Sequence, residues 1–276
     1  MSTFKYTLRT GSKKDHCPGC NKRTYVPYIE TESGKEIDAG RCDREQNCGY
    51  FKKPESNEPI TAPKFEPIEI KTDYISNEIL DQYFNFENTS NFRKFLLTKF
   101  TKKEVVQSEY DYFLSASGTS VIFWQVDQLE RVRSGKVMEY NPTTGKRTKD
   151  LNGKSHINWM HQKPFNLKQC LFGLHLMKES KKPIGIVESE KTAVIMSIKE
   201  PRLIWMACGS VNGFKIDYLA PLRLRKIVAF PDKGCFEKWE ETAETLRESG
   251  FDITVNDVLE KNINAKLGDD IADHII

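Results

Sequence analysis

Residues 183–199 read PIGIVESEKTAVIMSIK, and the fold follows from how this stretch is parsed. The apolar run Ile184-Gly185-Ile186-Val187 has the length and β-branching of a buried strand. Glu188, Ser189 and Glu190 interrupt it, and Ala193, Val194, Ile195, Met196 and Ile198 continue in a helix-like pattern. The order strand, acidic turn, helix is that of a parallel α/β sheet, where Glu188 would stand at the carboxyl end of a strand. Taken alone, Glu188 and Glu190 also suit the first turn of any helix through its dipole.

A second stretch, Lys226-Ile227-Val228-Ala229-Phe230-Pro231-Asp232-Lys233-Gly234, repeats the design. It is an apolar strand that ends in a carboxylate, with a glycine turn behind it. A helix over residues 236–248 follows, with Trp239, Ala243 and Leu246 as its apolar contacts. Two strand-end carboxylates, Glu188 and Asp232, suit Mg²⁺, which takes carboxylate oxygens. Residues 203–210, LIWMACGS, supply a further strand and a glycine between them, and residues 252–255 one more.

At these residues the chain resembles the Toprim domain of bacterial replicative primases, over residues 182–273. That family has a glutamate after its first strand and an aspartate pair after a later one. The resemblance assigns Glu188 as metal ligand or general acid/base, and Asp232 as the first aspartate of the pair. Gly234 stands where the second would be. Residues 267–273, LGDDIAD, offer a substitute, similar to a stretch that some phage and plasmid Toprim primases carry after the last strand. The expectation is that Asp269 or Asp270 lies near Asp232 and helps to hold Mg²⁺. The competing expectation is that they cap a final helix.

The N-terminal region carries four of the seven cysteines, Cys17, Cys20, Cys42 and Cys48. The spacing is C-x2-C, 21 residues, C-x5-C, with a Pro18-Gly19 turn in the first pair. In a reducing compartment such pairs are zinc ligands rather than disulfides. Residues 24–28 and 49–52 read as the short strands of a zinc ribbon, and His16 as a neighbour of the site. A ribbon ahead of a Toprim domain also resembles the primase order, which implies that it contacts single-stranded template.

Residues 54–72 are a proline-rich linker. Residues 73–110 read as helices: Ile79, Leu80, Tyr83 and Phe84 share one face, as do Phe92, Phe95, Leu96 and Phe100, and Thr101-Lys102-Lys103-Glu104 is a capping box. These aromatics suit a core. Strands are expected over 121–126 and 136–140, the latter ended by Asn141-Pro142. The formal net charge is only +3, but residues 131–154 hold seven Lys/Arg against Glu139 and Asp150, while residues 237–276 hold eleven Asp/Glu against four Lys/Arg. Lys136, Lys146, Arg147, Lys149 and Lys191 are the candidate nucleic-acid contacts, through backbone phosphates; Lys233 flanks the second acidic turn. A solvated charged face is the other reading of the basic run.

The resulting expectation is an α/β protein in four parts: zinc ribbon 1–53, linker 54–72, small basic α+β subdomain 73–181, and Toprim-like parallel-sheet domain 182–276. Neither an apolar run long enough to span a bilayer nor the apolar core of a leader is legible, so the expected address is cytoplasmic, with no membrane partner. There is no P-loop pattern and no Ser-His-Asp arrangement. The resemblance implies a primase-like nucleotidyltransferase of plasmid or mobile-element type, with Zn²⁺ and Mg²⁺, single-stranded DNA, nucleotides, and a separate replicative helicase as candidate partner. The alternatives are a non-catalytic single-strand binding module with a degenerate Toprim core, or a Toprim nuclease.

Overall fold

The cysteine-bearing segment and the rest of the chain form two units, Met1–Glu69 and Ile70–Ile276. The structure is a computed structural model, and it describes residues 4–44, 47–54, 60–61, 71–84, 87–151, 153, 155, 157–178 and 180–276. The first unit is an antiparallel sheet of β1 (Tyr6–Leu8), β2 (Asp15–His16), β3 (Arg23–Glu30), β4 (Glu36–Cys42), β5 (Tyr50–Lys52) and β6 (Ile60–Thr61), ordered β1-β3-β4-β5-β6 with β2 also on β3. Strand β4 escapes a hydrophobicity search because its inward residues are small. Ala39 and Gly40 are buried, and a Cβ on Gly40 would lie 2.4 Å from the Val26 carbonyl oxygen. Most of the 54–72 linker lies outside the described residues. Within it, Ile60 and Thr61 pair with Phe51 and Tyr50.

The second unit opens with α1 (Asn77–Phe84), α2 (Asn91–Leu97) and α3 (Lys102–Tyr112). The capping box at Thr101 is made: its hydroxyl accepts from the Glu104 N–H, and the Glu104 carboxylate accepts from the Thr101 N–H. An antiparallel sheet follows, with β7 (Ser115–Ser117), β8 (Ser120–Val126), β9 (Val132–Met138) and β10 (Ile157–Trp159) in the order β10-β9-β8-β7. Strand β9 starts four residues before the expected 136–140. The buried Asp127 carboxylate takes the Arg131 N–H and the Arg131 and Arg133 guanidinium groups, which tightens the turn and returns the chain to β8 at Val132.

Then comes a wholly parallel sheet: β11 (Ile184–Val187), α4 (Glu190–Lys199), β12 (Ile204–Ala207), α5 (Ile216–Leu219), β13 (Lys226–Ala229), α6 (Phe236–Glu248), β14 (Asp252–Val255) and α7 (Val258–Lys261), with strand order β12-β11-β13-β14. Alternation sorts its residues between two faces. Ile184, Ile186, Ile204, Met206, Ile227 and Ala229 join Trp239, Ala243 and Leu246 of α6 in one core. Val187, Trp205 and Ala207 join Ala193 to Met196 of α4 in another. Each large apolar side chain fully buried this way contributes about 1.5–3 kcal/mol. Gly185 leaves room for the Trp205 indole, whose Cε3 would lie 2.7 Å from a Cβ there.

The second core continues across the nominal 181/182 boundary. It also holds Phe92, Phe95, Tyr112, Phe123 and Phe172, and the Tyr112 hydroxyl donates to the Trp205 carbonyl at 2.8 Å. The 73–181 subdomain and the 182–276 domain therefore share one interior. From β11 the chain goes first to β12 on one side and later to β13 on the other. The gap above β11 and β13 is thus a topological switch point, where open α/β sheets place their sites.

Candidate functional site

The four cysteines Cys17, Cys20, Cys42 and Cys48 come together, with all their sulfurs within 4.8 Å of one another. Cys17 and Cys48 are 3.7 Å apart and Cys20 and Cys42 4.0 Å, against about 3.8 Å for the edge of a tetrahedron with Zn–S of about 2.3 Å. Each sulfur also faces the backbone N–H two residues on, at Gly19, Lys22, Arg44 and Tyr50. Such donors stabilise thiolates and orient them toward a metal. The donor set fits zinc. His16 is turned away, with its ring nitrogens on the Asn21 carbonyl and the Arg23 guanidinium.

In the second unit, Glu188 follows β11 and Asp232 follows β13, so the sheet sets their side chains on either side of the switch point. Both line a cleft of about 290 Å³, which Asp270 and Asp273 also line. Desolvation pushes the Asp232 carboxyl up to about 8, and Glu188, Asp270 and Asp273 push it the same way. Burial raises Glu188 too, against the field of Arg147. Burial therefore disfavours the charged form of both carboxylates, and at Asp232 the neighbouring carboxylates add to it. The carboxylate oxygens of the cleft are spread more widely than the sulfurs of the cysteine cluster, which is the only group of three or more metal-type ligands within 4.8 Å among the described residues.

The C-terminal segment reaches this cleft by backbone pairing. The Lys233 N–H donates to the Asp269 carbonyl, and the Gly268 N–H to the Lys233 carbonyl. Asp270 then turns inward and Asp269 outward. The Asp269 carboxylate is spent on the Lys266 N–H and His274. The Asp270 Oδ1 accepts from the Asp273 N–H and caps a 3-10 turn, Ile271–His274, which replaces the expected α-helix. The Asp270 Oδ2 accepts from the Thr192 hydroxyl at 2.7 Å and lies 3.2 Å from Lys191 Nζ. Capping and presence in the cleft are both true of Asp270, on different oxygens.

The left-handed backbone of Gly234 explains the missing aspartate. Its φ is +88°, and a Cβ there would lie 2.3 Å from Leu267 Cδ1. Leu267 belongs to the same segment that delivers Asp270.

The candidate cations divide. Lys146 and Arg147 line the cleft beside Gly145, carried there by the turn after β9. The Asn141 side chain accepts from the Thr143 and Thr144 N–H groups, and Gly145, with φ +64°, lies directly against the Phe95 ring. Lys191 lines the cleft while paired with Asp270 and Asp273. Lys149 is exposed farther along the same arm. Lys233 donates to the Glu260 and Asn262 carbonyls instead. Lys136 is corrected outright: it is 4% exposed, and its ammonium is held by both oxygens of Glu190, itself 1% exposed. It is a buried structural cation rather than part of a solvent-facing phosphate track. Sequence reasoning placed Glu190 only as a helix-dipole residue. No local signal marks its partner, 54 residues earlier.

A larger cavity, of about 680 Å³, lies among α1, α3 and β12, and none of the predicted site residues line it.

The family model described as "Domain of unknown function (DUF6371)" matches residues 90–233, more than half of the chain. The chain belongs to this family. A zinc beta-ribbon finger model matches residues 4–61, which contain the four-cysteine cluster. No curated protein matches. Among solved structures, the chain is similar to the primase fragment of the bacteriophage T7 primase-helicase protein, with 14% identity, 96% of this chain and 95% of that one covered, and a TM-score of 0.43. It is also similar to the DnaG primase catalytic domain bound to ssDNA (13% identity, 72% and 73% covered, TM-score 0.43) and to the RNA polymerase domain of Mycobacterium tuberculosis primase DnaG (14%, 71% and 70%, TM-score 0.39). Among the described residues, no helix is long and apolar enough to cross a membrane.

Proposed function

We propose that this protein is a primase-like nucleotidyltransferase with a Toprim-type site, acting on single-stranded DNA. One observation carries the reading: Glu188 and Asp232 end adjacent parallel strands at the switch point and share one cleft with Asp270, Lys146, Arg147 and Lys191. The motif resemblance in residues 182–273 is its second support.

The acidic cluster fits Mg²⁺, because burial and mutual repulsion leave Asp232 in need of a counter-charge. Glu188 and Asp232 would hold it, with Asp270 beside them. When bound, Mg²⁺ neutralises triphosphate charge and supports the leaving pyrophosphate. The chain's own groups do the rest. Lys146 and Arg147, on the cleft rim, bind phosphate oxygens. Glu188 serves either as metal ligand or as general base for the attacking 3′-hydroxyl. Lys149 and the zinc ribbon contact template. A replicative helicase would supply unwound strand.

The test is Mg²⁺-dependent incorporation of labelled nucleotides on single-stranded DNA with no primer supplied. Incorporation by the wild type and its loss in Glu188→Gln and Asp232→Asn is the expected result. Strand binding without incorporation would make the protein a binding module, and metal-dependent cutting of the template would make it a nuclease.

A further inference from the structure

The first turn of α4 sends three side chains to three partners. Glu190 holds Lys136, the Thr192 hydroxyl donates to Asp270 Oδ2 at 2.7 Å, and Lys191 enters the acidic cleft. The Lys191 ammonium lies 3.2 Å from Asp270 Oδ2 and donates to Asp273 Oδ1 at 3.5 Å.

This ammonium is not needed to seat the C-terminal segment. The Lys233–Asp269 and Gly268–Lys233 backbone pairs, the Thr192 hydroxyl and the two capping bonds between Asp270 and Asp273 already fix it. A lysine in the first turn also works against the helix dipole, which favours anions at that end. Glu190 and Thr192 are buried, whereas Lys191 is half-buried on a flexible four-carbon stem. Of the groups around Asp270, the ammonium is the one free to swing away.

It also stands where a divalent cation would compete with it. Asp270 Oδ1 is spent on the Asp273 N–H, and Oδ2 takes the Thr192 hydroxyl while facing Lys191. A second cation drawn to that oxygen is repelled by the ammonium. Mg²⁺ is held by one or two carboxylates together with substrate phosphates. Those phosphates are the alternative partner for a lysine, which binds them as a point charge, and the dipole of α4 attracts them to the same place.

We infer that Lys191 and the metal compete for Asp270, and that the triphosphate resolves the competition by drawing Lys191 onto a phosphate oxygen. The nature of both ligands rests on the nucleotidyl-transfer reading. Metal and triphosphate then bind cooperatively, since both favour the arrangement with Lys191 off Asp270, and the coupling is reciprocal. Lys191 positions the two ligands and takes no part in bond making.

The test uses the whole protein and Mn²⁺ as the probe, with free Mn²⁺ counted by electron paramagnetic resonance and no nucleotide present. Lys191→Met is expected to bind Mn²⁺ about fivefold tighter or more, the low end of usual coupling between sites. Preformed Mg²⁺–tripolyphosphate, followed by calorimetry, should bind that variant more weakly, and Lys191→Arg should restore both affinities. Lys146→Met removes the same charge from the same cleft, where Lys146 is exposed. It should weaken Mg²⁺–tripolyphosphate and leave Mn²⁺ near the wild-type affinity. If Lys191→Met does not fold, Lys191→Gln, which keeps an N–H for Asp273, carries the same expectations. Unchanged or weaker Mn²⁺ binding without the ammonium would overturn the inference, because a merely structural lysine would loosen Asp270. So would equal tightening by Lys146→Met, which would reduce the effect to overall charge. Mn²⁺ bound by the wild type, lost in Asp232→Asn and unchanged in Lys191→Met would leave the metal site standing and sink the inference alone. Crossed effects in a protein that makes no primer would keep the inference and sink nucleotidyl transfer.

Discussion

The Lys136 ammonium donates to both carboxylate oxygens of Glu190, at 2.9 and 3.0 Å, and to the Gly209 carbonyl at 3.4 Å. Lys136 belongs to the antiparallel sheet, Glu190 to the first turn of α4, and Gly209 to the turn after β12. This one pair ties the two sheets together beside the acidic turn. It is buried, so removing one partner strands the other charge. Lys136→Met or Glu190→Gln should each destabilise the protein by about 3–5 kcal/mol, and the Lys136→Met/Glu190→Leu double variant by much less than the sum. Urea denaturation of the four proteins checks this; additive losses would refute it.

The zinc cluster makes the first unit depend on metal, because so small a sheet buries little apolar surface. Cys42→Ser should lose the zinc. Amides of β3 and β4 should then exchange rapidly while those of β11 and β13 keep their protection. Metal analysis and hydrogen exchange measure the two effects. Full zinc occupancy in the variant would contradict the assignment of Cys42.

Asp232 carries a pH signature. Its folded pKa of about 8 lies above its unfolded value, raised first by desolvation and then by Glu188, Asp270 and Asp273. The folded state thus prefers the protonated group. The stability that this group contributes is fully present below the unfolded pKa, near 4, and is lost as pH rises to about 8. Asp232→Asn should therefore flatten the fall in melting temperature between about pH 4 and 8. Mg²⁺ should raise the wild-type melting temperature most at the alkaline end and the variant's much less. Identical melting curves against pH for the two proteins would count against the reading.

Restoring an aspartate at 234 should not help. Gly234→Asp meets both a φ of +88° and the Leu267 side chain. It should cost about 1–3 kcal/mol, and a Leu267→Ala background should recover part of the loss. Thermal melts decide it, and primer synthesis should not rise in either background.

The exposed cations Lys146, Arg147 and Lys149 should act as phosphate contacts. Each alanine substitution should weaken single-strand binding for all sequences and lower the salt slope by roughly 0.7. Titrations at several salt concentrations measure this. A triple variant with the wild-type slope would make the arm a solvated face.

How far the sequence reaches is clearest at Glu188 and Asp270. The strands at 184–187 and 252–255, the helix at 236–248, the capping box at Thr101 and the four-cysteine spacing are all signalled by residues close together in the chain. Apolar periodicity, caps and metal-ligand spacing are local patterns, so the chain alone determines them. The C-terminal aspartates are different. That Asp270 rather than Asp269 enters the cleft depends on the Lys233–Asp269 backbone pairing. Strand β4 was silent because Ala39 and Gly40 pack by closeness rather than by bulk. Lys136 looked like its basic neighbours because nothing nearby in sequence announces Glu190. Burial turns one lysine into an internal strut and leaves Lys146 and Arg147 open at the cleft. That sorting rests on which distant segments share a low-dielectric interior, and only the tertiary structure brings those segments together.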